Sequence, residues 1–143
     1  MSKGNTFEND LLKLIFNGTA IANLADDAGT SPLGNLYVSL HTADPGEAGD
    51  QTTNECAYST YARQAVARTS GGWTVTANSV SPVADISFPA GASGDSETAT
   101  HFAVGTDASG AGKILYSGTL APNIAIAEGV TPKVTTASTI TED

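Results

Sequence analysis

The pattern of hydrophobic and polar positions changes once along this chain, from a helical period near the start to a period of two. The helical part ends at Asn17-Gly18, and its apolar residues are Phe7, Leu11, Leu14 and Ile15. Asn5 and Glu8 have the three-residue spacing of an N-terminal capping box. The pattern therefore predicts one short amphipathic helix, whose apolar side covers either the end of a β-domain or a neighbouring subunit.

From position 36 the apolar residues alternate with polar or aromatic ones. Leu36, Val38 and Leu40 fall on one face of the predicted strand, and Tyr37, Ser39 and His41 fall on the other. Asp44-Pro45-Gly46 then predicts a turn, because proline fixes φ at the second position and glycine accepts a positive φ at the third. The loop 47–59 has no periodicity and is long enough to form an excursion over the surface with a structural or binding role.

Seven further short strands are legible between turn residues, which gives about eight in total. Their predicted ranges are 61–67, 73–77, 83–88, 99–104, 113–120, 123–127 and 133–136, and Ser81-Pro82 is among the turns predicted between them. Strands of this length and spacing predict an all-β fold, an antiparallel β-sandwich of jelly-roll type with one N-terminal helix. We expect a single domain over 1–143, with 1–5 and 137–143 as flexible tails or arms that pair with the sheet edge of a neighbour.

The composition indicates a thin hydrophobic core. Only 28 of the 143 residues are Leu, Ile, Val or Phe, close to the roughly 20% below which highly charged chains tend toward disorder. Small polar residues and glycine make up much of the remainder, as in a β-domain with many turns. Neighbouring subunits would complete such a core.

The net charge of −9 argues against partners that are bound through clustered lysine or arginine. Phosphate backbones and anionic lipids both need such clusters, so neither nucleic acid nor a membrane is an expected partner. Cys56 is the only cysteine, which excludes an intramolecular disulfide and indicates a thiol made in a reducing compartment. The first sixteen residues lack the pattern of a signal peptide, so we expect synthesis in the cytoplasm.

The residues that could carry chemistry do not form a recognisable motif. One acidic group could be drawn as a metal site, but its spacing matches neither a zinc helix nor a calcium loop, and a solvated acidic loop is the favoured interpretation: His41, Asp44, Glu47, Asp50 and Glu55. The carboxylate next to Cys56 would raise the pKa of the thiol, which argues against a nucleophile. Pairing of Arg63 and Arg68 with carboxylates is favoured over anion binding. The sequence thus predicts no enzyme, no metal site and no cofactor.

The glycine-rich segments 91–94 and 105–112 are predicted to be turns. Neither contains a Lys-Ser/Thr pair or sits between a parallel strand and a helix, as a phosphate-binding loop would.

Four segments carry a resemblance to a known family. They are FNGTA at the end of the helix, LYVSLHTADPGEAGD, YARQAVAR and HFAVGTDASGAGKILYSGTL. Together they resemble small virion proteins of tailed bacteriophages, which are often labelled tail fibre proteins and are similar to head decoration (cement) proteins. The resemblance covers about 7–120, and it departs from the family at Thr60-Tyr61, where a Gly-Tyr pair is usual.

The resemblance implies a protein that acts by assembly and has no catalytic residues. It implies a capsid decoration protein, not an enzyme, that binds the major capsid protein on the outer surface of the mature head as a trimer and stabilises the shell by bridging capsid subunits. A small tail, baseplate or fibre-associated protein is the alternative, and a carbohydrate-binding module is a third. The chain has no repeats and no heptads, which favours the head over a receptor-binding fibre.

Six residues are predicted to lie near subunit contacts. Arginine and aromatic residues are enriched in interfaces, and the helix or the tails would touch the capsid, although ordinary core or surface positions are an equal alternative for each residue. The six are Tyr37, Tyr61, Arg63, Trp73, Phe7 and Leu11.

Overall fold

A computed structural model of the chain describes residues 5–21 and 33–142. Within them it is mostly β, with one helix, α1, at Asn5–Asn17. The strands, in chain order, are β1 Asn35–His41, β2 Gln64–Ala67, β3 Trp73–Thr76, β4 Ser79–Pro82, β5 Ile86–Ser87, β6 Ser96–Gly105, β7 Ile114–Ala127, β8 Lys133–Val134 and β9 Ile140–Thr141. The predicted fold class, all-β with one N-terminal helix and antiparallel strands, is confirmed, and it is consistent with a sandwich-like fold.

The strands form three sheets and the chain forms two compact units. The sheet orders are β2-β1-β6-β7, β3-β4-β9 and β5-β8. The first unit comprises the described parts of Met1–Asn35, Val66–Asp85 and Thr135–Asp143, and the second comprises Leu36–Ala65 and Ile86–Val134. No helix in the described ranges is long and apolar enough to cross a membrane.

The first unit is built on the packing of α1 against the β3–β4 hairpin. Leu12 and Phe16 lie one turn apart on the helix, and both are fully buried. The ring of Phe16 meets the buried indole of Trp73 edge-on, with 4.8 Å between ring centroids. The fully buried face of α1 therefore differs from the predicted stripe: Leu12 and Phe16 fill this unit's core, whereas Leu11, Leu14 and Ile15 are only half-buried.

The tip of the β3–β4 hairpin is held by side chains and backbone from distant parts of the chain. Asn9 Nδ2 donates to the carbonyl oxygen of Ala77 at 2.6 Å, and Ala77 itself has a φ of 53°. Asn78 exchanges two hydrogen bonds with the backbone of Glu142, both of 2.9 Å. β9, which pairs with β4, lies in the range 137–143 that the sequence predicts to be a tail.

The C-terminal end of α1 is closed by Arg68. The helix has no basic residue in its last turn, and its final carbonyl groups lack intrahelical donors. Arg68 Nε donates to Ile15 O at 2.7 Å, and Nη2 donates to Leu14 O at 2.6 Å. The guanidinium thus supplies both donors and the positive charge that this end of the helix dipole favours.

Replacing Arg68 by methionine is expected to lower the free energy of unfolding by about 2 kcal/mol, since two charge-assisted hydrogen bonds are lost. Urea unfolding followed by circular dichroism measures the change. Lysine at the same position keeps the charge but not the two-pronged geometry, and it should recover less than half of the loss. A change below about 0.5 kcal/mol in the methionine variant would show that water replaces the guanidinium without cost.

The structure corrects the strand predicted over 61–67 and the turn predicted at Ser81-Pro82. The strand expected over 61–67 begins only at Gln64, because Tyr61 N bonds to Tyr58 O in a turn. β4 occupies a position where Ser81-Pro82 was predicted to be a turn. Pro82 is tolerated because only Ser79 and Val80 pair with β9, so its missing N–H costs no bond on that side.

The two strands predicted at 113–120 and 123–127 are one continuous strand, β7, which pairs with β6. The register between them shifts at Ala99/His101, so the Ala121-Pro122 pair lies in an irregular part of the ladder. β7 is at the edge of its sheet, where a proline is compatible with strand structure.

The core of the second unit surrounds the central strand β1. It is formed by Leu36, Val38, Leu40, Phe88, Ala103, Val104, Ile126 and Val134, all of which are buried.

Candidate functional site

The segment between β1 and β2, residues 42–63, contains most of the residues that the sequence singled out for chemistry or contact. We call it the β1–β2 connection. Its backbone follows the end of β1: Thr42 N bonds to Asn54 O at 2.8 Å, and Cys56 N bonds to Leu40 O at 2.9 Å. Along this part of β1, the connection supplies backbone hydrogen bonds of the kind that a paired strand would make. It is therefore an integral part of the fold.

Arg63 and Glu55 form a two-pronged ion pair inside the connection. Arg63 Nε lies 2.6 Å from Glu55 Oε1, and Nη2 lies 2.8 Å from Oε2. The Arg63 side chain is only 2% exposed and that of Glu55 is 16% exposed, so the pair is largely removed from water. The carboxylate of Glu55 raises the pKa of Arg63 through these hydrogen bonds. The predicted pairing of Arg63 with a carboxylate is confirmed.

The remaining donors of Arg63 and the hydroxyl of Tyr61 extend this pair in both directions. Arg63 Nη1 donates to Asp107 O at 2.9 Å and Nη2 donates to Gly110 O at 2.7 Å, which fixes the turn between β6 and β7. Tyr61 Oη donates to Glu55 at 2.9 Å and accepts from Leu40 N at 3.1 Å. Burial raises the pKa of Tyr61, so the phenol remains a proton donor.

Gln51 is a fully buried polar residue that sequence reasoning missed. Its Oε1 accepts from Asp107 N at 3.0 Å, and its own backbone N bonds to Gly112 O at 2.9 Å. A Cβ built on Gly105 or on Gly112 would overlap the Gln51 amide. The 105–112 segment, predicted to be a turn, is therefore glycine-rich partly because it must leave room for this side chain.

His41 is buried on β1 with both ring nitrogens in hydrogen bonds. Nδ1 lies 2.8 Å from Thr53 O, which can only accept, so Nδ1 carries the proton. Nε2 lies 2.9 Å from Ser39 Oγ and in the neutral ring accepts from that hydroxyl. Burial lowers the pKa of His41 below its ordinary value of 6.5, and the ionisable groups that act on it are Glu55, Arg63 and His101.

We expect the protein to lose stability as the pH falls below about 6.5, because unfolding lets His41 take up a proton that the folded state resists. The sign follows from the lowered pKa: the contribution is fully present above the unfolded value and is lost as the pH falls toward the folded value. Urea unfolding at pH 7.5 and at pH 5.5 measures the difference. His41→Gln should be less stable at both values but show a smaller difference between them, and an undiminished difference would assign the effect to other groups.

Two carboxylates tie the connection to β6 and to the turn before it. Glu97 Oε2 accepts from Ala57 N at 2.9 Å and from Tyr58 N at 3.2 Å. Asp95 accepts from Ser59 N and from Ala92 N, and these bonds lower its pKa. These acidic residues act as backbone acceptors, a role that the net charge alone does not reveal.

Cys56 directly follows Glu55 in the β1–β2 connection, and it is buried. Burial first, and then the charges of Glu97 and Glu55, raise the pKa of its thiol to about 12. The sequence predicted the direction of this shift from the adjacent Glu55 alone.

In the native state Cys56 is expected to resist Ellman's reagent at pH 8, because the reactive thiolate is scarce and the sulfur is covered. Addition of urea should release one reacting thiol per chain. Rapid reaction without denaturant would contradict this placement.

The predicted contact residues lie in different surroundings. Trp73 and Arg63 are buried within the chain, while Tyr37, Tyr61 and Leu11 are half-buried. The side chain of Phe7 lies outside the described residues. The role of all six in subunit contacts stays a prediction.

The acidic residues considered as a metal site do not gather around His41. Within 5–21 and 33–142, no three or more His, Cys, Asp or Glu side chains are placed to hold a metal ion. Asp44 and Asp50 instead accept backbone hydrogen bonds from Gly46 and Thr52 in their own turns. The carboxylates of Asp44 and Asp50 thus hold the backbone of their own turns in place.

A comparison with protein families matches nearly the whole chain. The family is described as podophage GP4 fiber I protein gp80, and its model matches residues 2–141. No curated protein matches the chain. The match confirms the resemblance to tailed-phage virion proteins, and it extends beyond the 7–120 that carried that resemblance. The chain therefore belongs to the podophage GP4 fiber I protein gp80 family of phage virion proteins.

Proposed function

We propose that this virion structural protein is a non-catalytic building block of the phage fibre, which acts by binding other virion proteins. The observation that carries the proposal is the fibre-protein family match across 2–141. Its expected partners are further copies of the same chain and neighbouring fibre or tail proteins.

The geometry of the β1–β2 connection supports a structural role. His41, Glu55 and Arg63 direct their polar atoms toward backbone groups or toward neighbouring side chains of the same network. A catalytic group must instead reach a substrate in a productive geometry. A polar network that holds one loop rigidly over a sheet suits a subunit that presents a fixed surface to its neighbours.

The second candidate is a decoration protein on the outer surface of the capsid, bound to the major capsid protein as a trimer. The chain has no repeats and no heptads of the kind that build an extended fibre shaft, and this observation favours the head. Within the fibre proposal the same observation indicates a compact joint or adaptor rather than a shaft.

A phage with an amber codon in this gene separates the two candidates. Grown in a non-suppressing host, it should yield DNA-filled heads of normal heat stability that lack complete fibres in negative-stain electron micrographs. Particles with complete fibres and heads that release DNA at a lower temperature would overturn the fibre proposal in favour of decoration. Complete fibres together with normal heads would overturn both.

Growth of the same mutant in a suppressing host is the control, and it should restore whichever defect is seen. Purified particles from both hosts are also compared by mass spectrometry. Absence of the protein from the suppressed particles would overturn its assignment as a virion component.

A further inference from the structure

A groove runs between the turn after β1 and the start of β7. One wall is formed by Asp44, Gly46, Glu47 and Gly49, and the other by 114–117. Its volume is about 350 Å³, which is comparable with small ligand sites. The two walls differ in character, since the first is acidic and rich in glycine while the second carries Ile114, Leu115 and Tyr116.

The second wall belongs to an edge strand. β7 stands last in the sheet order β2-β1-β6-β7, so no strand of the described chain lies along its outer edge. An edge strand directs alternate N–H and C=O groups outward, and an extended peptide can pair with them. Gly46 in the facing wall has no side chain and open space where a Cβ would stand, which leaves room for a second backbone.

The charges on the groove indicate which kind of segment it would bind. Asp44 and Glu47 are exposed acidic residues on one wall, so a bound segment gains from lysine or arginine. A second copy of this chain is a poor source, because it carries a net charge of −9 and has only six basic residues. Two of these, Arg63 and Arg68, are committed to hydrogen bonds inside the chain.

We propose that this groove binds an extended, basic segment of a different protein, which adds a strand to the outer edge of β7 and places its cationic side chains against Asp44 and Glu47. The proposal rests on the proposed function, since it identifies the kind of partner that such an assembly protein binds. The alternate, apolar residues of that strand would contact those side chains among Ile114, Leu115 and Tyr116 that lie on the same face of the sheet as they do.

The test is a titration of the ¹⁵N-labelled protein with an eight-residue peptide of alternating lysine and valine, monitored by NMR. Saturable shifts are expected for the backbone amides of 44–49 and 114–117. A peptide of alternating glutamate and valine should bind at least about tenfold more weakly, since opposite charges become like charges. A lysine–valine peptide with alternate backbone nitrogens methylated should also bind more weakly, because it cannot complete the strand pairing.

Matched variants separate the groove from general attraction to an acidic protein. Glu47→Gln and Glu128→Gln remove the same charge, but only the first lies at the groove. Glu47→Gln should weaken binding about threefold, and Asp44→Asn should do the same while keeping an acceptor for Gly46 N. Glu128→Gln should change the affinity less than either.

No saturable binding, shifts centred elsewhere, or equal loss in the Glu47 and Glu128 variants would overturn the proposal. These outcomes do not depend on where the protein sits in the particle. Failure here leaves the amber-mutant result to decide the proposed function separately, and failure there leaves the groove to be judged by peptide binding.

Discussion

Replacing Arg63 by methionine is expected to lower the free energy of unfolding by about 3–5 kcal/mol, the loss typical of breaking a buried ion pair from one side. The substitution leaves the carboxylate of Glu55 in a largely dehydrated site with Tyr61 as its remaining donor. It also removes the donors to the carbonyl groups of Asp107 and Gly110. Urea unfolding at pH 7, followed by tryptophan fluorescence and by circular dichroism, measures the change.

The matched control combines Arg63→Met with Glu55→Gln, which removes the uncompensated charge. This double variant should be more stable than Arg63→Met alone, because a neutral amide costs less to bury than a carboxylate. A double-mutant cycle with both single variants then gives the coupling energy of the pair. If Arg63→Met costs less than about 1 kcal/mol, or if the losses of the two single variants simply add, the pair does not hold the connection in place.

Replacing Gly105 by alanine is expected to cost about 2 kcal/mol through overpacking. The three nearest atoms to the added methyl group would all belong to the side-chain amide of Gln51. That amide is fully buried and bonded to Asp107 N, so it cannot swing aside without losing its partner. Thermal unfolding followed by circular dichroism compares the variant with the wild type.

Removal of the Gln51 side chain tests the cause of this loss. In a Gln51→Ala background the Gly105→Ala substitution should cost less than about 0.5 kcal/mol, since the clash is gone. Gly34→Ala is the control for the general effect of adding a methyl group, because no atom lies within 4 Å of its added Cβ. An undiminished loss in the Gln51→Ala background would place the strain in the backbone rather than in the amide.

The periodic parts of the sequence predicted the fold well. The helix and β1 were both identified from apolar spacing, although the helix residues that are fully buried, Leu12 and Phe16, are not those of the predicted stripe. The end of the helix at Asn17-Gly18 was also clear, because Gly18 adopts a φ of 63° there.

Elements that depend on a distant partner were not predicted. β9 has two residues and exists through its pairing with Ser79 and Val80, which no local pattern reveals. Pro82 was assigned to a turn by its local preference, although the ladder leaves its nitrogen without a required partner. The position of Arg68 at the end of α1 likewise joins residues more than fifty positions apart.

The candidate site could be predicted from the sequence only in part, because it too depends on residues that are distant along the chain. The sequence identified Arg63 as a pairing residue and Cys56 as an unreactive one, but it gave no sign that Gln51 is buried. Gly105 and Gly112 reflect that burial, because a Cβ at either position would overlap the Gln51 amide. Glycine is also common in turns for local reasons, so these two glycines did not point to Gln51. The groove joins the Asp44 turn to β7, and only the folded chain brings those segments together.

The position of the protein in the particle tests the central claim most directly. A hexahistidine tag fused to the protein in the phage genome, labelled with nickel–nanogold on purified virions, reports that position in electron micrographs. We predict gold on the fibres or at their attachment to the tail, and none on the head surface. Gold distributed over the capsid would contradict the fibre assignment and support the decoration protein.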